Sequence, residues 1–191
     1  MAPGDDVRRG QTAVFMDRDG VIVRDVHYLC DPARLELLPR AGEAIRRVNE
    51  AGRPAIVITN QSAVARGLCT EDDLKRIHAR LESMLDRDGA HLDAIYTCPH
   101  HPDFPYRGVT DCRCRKPAPG MLARACRDFA IDPKQSVFVG DSPTDVQAAR
   151  RAGMRPILVA PNRQPPGPAI AAPDLVICPS LLDAVELVLK E

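Results

Sequence analysis

The sequence predicts an α/β domain in three layers, a parallel sheet with helices on both of its faces. Three features of the 191 residues predict it. Short apolar runs alternate with amphipathic stretches along almost the whole chain, the pattern of strand–helix–strand units. The apolar runs are continuous, as strands buried on both faces must be. The polar residues of most chemical interest come directly after the runs, where the carboxyl ends of parallel strands gather ligands.

The first run, "TAVFM" (12–16), breaks off at charged residues and reads as a strand. "PRAGEAIRRVNEAG" (39–52) places Ala41, Ala44, Ile45 and Val48 at helical spacing, with Gly52 as the stop. "PAIVIT" (54–59) is the next strand. "TEDDLKRIHARLESML" (70–85) opens on a capping box of Thr70 and Asp73 and turns Leu74, Ile77, Leu81 and Leu85 inward. "LDAIYT" (92–97) is a third strand, and "PGMLARACRDFA" (119–130) a helix with Met121, Leu122, Ala125 and Phe129 inward. "SVFVG" (136–140), "TDVQAARRAG" (144–153) and "RPILVA" (155–160) repeat the unit. A Pro-rich surface loop (161–173), the strand "DLVI" (174–177) and a helix opened by Ser180 with Asp183 follow. The expectation is one Rossmann-like domain over 1–191, with no internal repeat.

Lys and Arg total 26 and Asp and Glu total 26. That balance offers no basic field for nucleic acid or an anionic membrane. The opening "MAPGDDVRRGQ" lacks the apolar run of a secretion signal, and no stretch nears the roughly 20 apolar residues of a membrane span. A cytoplasmic protein is expected. Seven cysteines in that setting point to thiols and metal before a disulfide framework.

Four polar clusters carry the chemistry. Asp17 and Asp19, in "VFMDRDG", stand two apart at a strand exit, so both carboxylates can face one pocket while Arg18 points elsewhere. Paired carboxylates repel unless a cation such as Mg²⁺ joins them or one stays protonated. An EF-hand is excluded, because Gly20 comes fourth and apolar "VIV" follows. Thr59 and Asn60 end the second strand, where a hydroxyl and backbone amides can grip phosphate oxygens. Lys116 is a cation beside Arg115. Asp141 leaves the fourth strand after a glycine, and Asp145 begins the next helix, where either can also serve as a cap.

"CPHHPDFPYRGVTDCRC" (98–114) gathers three cysteines and two histidines. Cys98, Cys112, Cys114 and one of His100 or His101 can make a closed Cys₃His tetrahedron for zinc, a structural site with no open position for water. Scattered thiols or a disulfide are the rival readings.

In this order, each on a strand end, "DRDG", "TN", Lys116 and "GDSPTD" resemble the four motifs of the haloacid dehalogenase superfamily of phosphotransferases over residues 12–160. The resemblance implies phosphate monoester hydrolysis in two steps. Asp17 is the implied nucleophile and Asp19 the implied acid and base. The resemblance further implies Mg²⁺ held by Asp17, the main chain of Asp19, and Asp141, with Lys116 and Thr59 on the phosphoryl oxygens. "CPHH…CRCRKPAPGML" with "TNQSAVARG" is similar to one branch, which contains heptose-bisphosphate phosphatases and histidinol-phosphate phosphatases. That branch implies zinc on Cys98, His100, Cys112 and Cys114, over a zinc loop of 98–116. It also implies Arg115 as a substrate and transition-state contact, and Asp25, His27, Tyr28, Asn60 and Ser62 beside the sugar.

Val23, where relatives often have Asn, and Ser142, where some have Lys, depart from the branch. Too few residues separate "DRDG" from the helix at 39 for a cap domain, so an open pocket is expected. The leading expectation is removal of the 7-phosphate of D-glycero-D-manno-heptose 1,7-bisphosphate, in nucleotide-heptose biosynthesis for lipopolysaccharide or another surface polysaccharide. Histidinol-phosphate phosphatase is the alternative, and a non-catalytic zinc-stabilised binding module the last. A small phosphorylated sugar is the expected partner, with no nucleic acid, no membrane and a monomeric state.

Overall fold

A computed structural model describes residues 10–161, 172 and 175–190. Six strands, β1 (Val14–Met16), β2 (Ala55–Asn60), β3 (Ala94–Cys98), β4 (Val137–Gly140), β5 (Arg155–Val159) and β6 (Val176–Cys178), form one sheet in the order β3-β2-β1-β4-β5-β6. Every pairing is parallel. Helices α1 (Ala41–Glu50), α2 (Glu71–Arg87), α3 (Gly120–Asp128), α4 (Pro143–Ala152) and α5 (Leu181–Leu189) cover it. The three-layer α/β reading of the sequence therefore holds.

Successive side chains of a strand point to opposite faces, and β1 divides its residues accordingly. Val14 and Met16 pack with Ala44 and Ile45 of α1, Ile77 and Leu81 of α2, and Leu182 and Val185 of α5. Phe15 faces the other layer, with Met121 and Leu122 of α3 and Ala148 and Ala149 of α4. β1 is thus buried on both faces, which is why its sequence reads as an unbroken apolar run. Each fully buried Ile, Leu or Phe side chain contributes roughly 1.5–3 kcal/mol through area removed from water.

Element ends differ from the sequence reading by at most two residues, because a strand ends where its neighbour's ladder ends. Thr12 and Ala13 precede the paired part of β1, which begins at Val14 opposite Ala55 and Val137. Phe129 lies beyond α3 as its C-cap, donating its amide to Ala125 O, with a ring only partly buried. Apart from Pro161 and Ala172, the Pro-rich stretch expected over 161–173 lies outside the described residues.

The topology locates the site. The chain runs outward from β1 through β2 to β3, then returns to place β4 on the opposite side of β1. Ligand crevices form where the strand order reverses, beyond the carboxyl ends of the two diverging strands. Asp17 follows β1 and Asp141 follows β4. The Asp17 amide donates to Val139 O at 2.9 Å, so this edge is stitched as far as the first catalytic candidate.

The capping box opening α2 is formed in full. Thr70 Oγ1 accepts from the Asp73 amide at 3.0 Å, and Asp73 Oδ2 accepts from the Thr70 amide at 2.9 Å. Thr70→Ala is expected to cost about 1 kcal/mol, read in a urea melt as a lower midpoint at unchanged slope.

Candidate active site and neighbouring metal-ligand cluster

The loops after β1, β2 and β4 and the segment before α3 enclose a cleft of about 280 Å³. Its lining includes Asp17, Asp19, Thr59, Asn60, Lys116 and Asp141, together with Asp25, His27, Tyr28 and Ser62. The sequence had drawn these residues from four separate stretches, and the fold brings them to one opening.

At the floor lies a buried cation between carboxylates. Lys116 is 3 % exposed. Its Nζ stands 2.8 Å from Asp17 Oδ1 and 2.7 Å from Asp145 Oδ1, and it donates to Ile58 O at 2.9 Å. Burial opposes this charge, but Asp17 and Asp145 outweigh it and hold the lysine above its ordinary pKa. Burial drives Asp17 up to about 6, against the pull of Lys116 and with the repulsion of Asp145 behind it. Desolvation raises Asp141 too, reinforced by Asp17 and Asp145. One ammonium against three converging carboxylates leaves negative charge uncompensated. Carboxylate oxygens of Asp17, Asp141 and Asp145 lie within 4.8 Å of one another, close enough to share one cation. This oxygen-only donor set fits Mg²⁺.

Asn60, expected as a substrate contact, also grips the main chain of Lys116. Its Nδ2 donates to Lys116 O at 3.1 Å and its Oδ1 accepts from the Lys116 amide at 3.0 Å. Thr59 is 1 % exposed, and its Oγ1 accepts from Gln61 Nε2 at 2.8 Å. The same Gln61 nitrogen donates to Asp19 Oδ2 at 2.7 Å.

Beyond β3 a second, sulfur-rich cluster forms. Cys98 Sγ lies 3.2 Å from Cys114 Sγ and 3.6 Å from Cys112 Sγ, and His100 Nδ1 lies 3.3 Å from Cys114 Sγ. The edge of a tetrahedron with Zn–S of about 2.3 Å is about 3.8 Å, so the four donors are gathered to nearly that size. His101 stands outside the cluster: its Nε2 is 3.0 Å from Arg66 Nη2 and its ring meets Phe104 edge-on at 5.3 Å. The choice that spacing left open thus falls to His100 on geometry.

Comparisons with known proteins give the chain a family. Residues 113–184 match the HAD-hydrolase-like family. The chain is 41 % identical over 147 residues to the D-glycero-beta-D-manno-heptose-1,7-bisphosphate 7-phosphatase of Rhodopseudomonas palustris, covering 74 % of this chain and 79 % of that one. The enzyme of that name from Haemophilus ducreyi is 36 % identical over 94 % of this chain and 99 % of its own length. The chain belongs to the heptose-bisphosphatase branch of the haloacid dehalogenase superfamily. It is a phosphatase. A solved D,D-heptose 1,7-bisphosphate phosphatase from B. bronchiseptica, complexed with magnesium and phosphate, superposes with a TM-score of 0.83 at 33 % identity. The match covers 94 % of this chain and 99 % of that one.

The two departures from the branch pattern, Val23 and Ser142, have their own places in the fold, and one placement, that of Arg115, differs from what the sequence suggested. Val23 is fully buried and bridges to Leu37, so it serves packing and not the pocket wall. Ser142 does line the cleft, but its Oγ donates to Asp145 Oδ2 at 2.6 Å. Arg115 does not line the cleft: its Nη1 donates to His100 O at 3.0 Å, across the Cys/His loop. The sequence reading allowed Asp145 a capping role, which its bond from the Ser142 amide at 3.1 Å bears out, and gave Gln61 no part. Both are buried polar groups bonded to site residues, and only the distant partner reveals that.

Gly20 has φ +75°, in the left-handed region, and a Cβ there would sit 1.8 Å from Asp141 Oδ2. Gly20→Ala should cost about 1–3 kcal/mol of stability and weaken Mg²⁺ activation by displacing Asp141, checked by melting and by magnesium titration of the rate.

Proposed function

We propose that the protein is a Mg²⁺-dependent phosphatase that removes the 7-phosphate of D-glycero-D-manno-heptose 1,7-bisphosphate through an aspartyl-phosphate on Asp17. The observation that carries the reading is the Asp17–Lys116–Asp145 array on the cleft floor, at the point where the strand order reverses. The names of the relatives at 36–41 % identity support the substrate. A place in nucleotide-heptose biosynthesis goes with that substrate.

Asp17 has the position of a nucleophile: its carboxylate is held by Lys116 and by the Arg18 amide, which donates to Oδ1 at 2.7 Å. Attack of the carboxylate on phosphorus breaks the ester P–O bond, and Asp19 gives the leaving oxygen its proton. Asp19 then takes a proton from the water that attacks the aspartyl-phosphate, releasing phosphate and restoring Asp17. Thr59 suits phosphoryl binding because Gln61 occupies an acceptor side of its hydroxyl, leaving the hydroxyl hydrogen to donate. Lys116 neutralises phosphoryl charge where it develops. Asp17 and Asp141 would hold Mg²⁺ with the main chain of Asp19, while Asp145 is committed to Lys116 and Ser142. When bound, the ion offsets the charge of the carboxylates and of the phosphate.

The sugar side falls to the turn Asp25–Tyr28 and to Ser62. His27 holds φ +67° there, and its amide donates to Asp25 Oδ1 at 2.8 Å. Arg115 is assigned to the substrate as well, which requires its Nη1 to exchange the His100 carbonyl, 3.0 Å away, for the ligand. A cleft of about 280 Å³ suits a compact metabolite.

Asp17→Asn should leave a folded protein whose turnover is lower by on the order of 10³ or more. With wild type, kcat/KM on the heptose bisphosphate should exceed that on histidinol phosphate by about tenfold or more, and the reverse order would move the assignment to histidinol phosphate.

The Cys98–His100–Cys112–Cys114 set is assigned a structural zinc. Four donors close a tetrahedron and leave no position for a reacting water. Elemental analysis is expected to find a single tightly held zinc per chain. Cys112→Ser should lower both zinc content and melting temperature by amounts visible without any activity assay.

A further inference from the structure

Between the two motif aspartates, Arg18 is the largest of the fully buried side chains. It was expected to point away from the pocket, and it does leave the opening, but its guanidinium returns beneath Asp19. A buried guanidinium is tolerated only where its charge is met and its N–H groups are bonded. Among the described residues its one ion-pair partner is Asp19. The pairing is forked. Nε and Nη2 reach Oδ1 at 3.2 and 3.0 Å, and Nη2 reaches Oδ2 at 2.9 Å.

The fork is supported from both sides. Nη1 lies 3.4 Å from Nε2 of His78, on α2. Burial and the adjacent Arg18 charge push His78 down to about 4, so at neutral pH its ring is uncharged and can accept from the guanidinium. From the cleft, Gln61 Nε2 donates to Asp19 Oδ2 and to Thr59 Oγ1. Arg18 itself is absent from the cleft lining.

We propose that Arg18, backed by His78 and completed by Gln61, is the positioning residue for the acid–base carboxylate of Asp19. It fixes the rotamer so that Oδ2 stays on the Thr59 side of the cleft, where the leaving oxygen and then the attacking water must lie. A carboxylate at a cleft mouth otherwise turns freely about two torsions, and proton transfer demands a held direction. The guanidinium keeps its own protons throughout. The proton passes from Asp19 to the ester oxygen as the P–O bond breaks, and returns to Asp19 from water in the second step.

This inference rests on the roles of Asp17 and Asp19 proposed above, and leaving-group dependence tests it. kcat/KM reports the first irreversible step, transfer to Asp17. An alkyl phosphate such as the heptose bisphosphate needs its leaving oxygen protonated, whereas nitrophenolate departs unaided. R18K retains the charge but cannot fork, R18M removes the charge, and D19N is the reference. Both Arg18 variants are expected to lose about 10²-fold in kcat/KM on the alkyl ester, with at most a few-fold loss on p-nitrophenyl phosphate.

In the D19N background, R18K should add no further loss, since the two residues act as a unit. Equal losses on both esters, losses that multiply with D19N, or no loss on either ester would overturn the inference. Should R18M fail to fold by circular dichroism and melting, R18K decides alone. Turnover that survives D17N would overturn the parent assignment and this inference with it. A wild type that depends on Asp17 and Asp19 while R18K behaves as wild type would overturn this inference only.

Discussion

The ammonium of Lys116 is tied to two carboxylates, 2.8 Å from Asp17 at the exit of β1 and 2.7 Å from Asp145 in the first turn of α4, with almost no water beside it. Without that charge, the exits of β1 and β4 would bring only acids together, and mutual repulsion would force them apart. With it, the two central strands can end side by side on functional carboxylates. The lysine comes from neither strand. It arrives from the segment before α3, and Asn60 at the end of β2 fixes its main chain by two hydrogen bonds. Three separate parts of the chain therefore have to be in register before the cleft floor exists.

The two clusters of candidate metal donors divide hard from soft atoms with no overlap. Oxygen atoms alone gather at Asp17, Asp141 and Asp145, and sulfur with one imidazole gathers at Cys98, His100, Cys112 and Cys114. Ligand type sorts cations as effectively as affinity does. The clusters are nonetheless joined mechanically. Cys114 lies two residues before Lys116, and the Gln61 amide donates to Cys98 O at 2.7 Å. The sulfur cluster thus meets the lysine through two residues of chain and the Thr59–Gln61 edge through that bond.

Much of this was legible in the sequence, for identifiable reasons. Strands buried on both faces announce themselves as continuous apolar runs, and the capping box at Thr70 and Asp73 depends on residues three apart. The placing of Asp17, Thr59, Lys116 and Asp141 at strand ends needed only the rule that parallel sheets gather ligands at one edge. What stayed hidden were side chains whose partners are remote. Period-two alternation says that Arg18 leaves the face of Asp17, but not that it folds under Asp19 to meet His78, sixty positions onward. Asp145 satisfies every local rule for a helix cap, and only tertiary structure shows it 1 % exposed against Lys116. Arg115 looked committed to the cleft by adjacency to Lys116, yet a carbonyl of its own loop competes for it.

The stretch from His101 to Asp111 is bracketed by thiol and imidazole ligands at both of its ends. It also rests on the neighbouring helix, where Tyr106 Oη donates to Glu71 Oε1 at 2.6 Å and Arg107 Nη2 donates to Glu71 Oε2 at 3.1 Å. Such a hairpin is held at its two ends by the Cys/His cluster and at its middle by Tyr106 and Arg107. None of its residues lines the cleft, so descendants of this chain could vary the positions between these anchors and leave the reacting groups undisturbed.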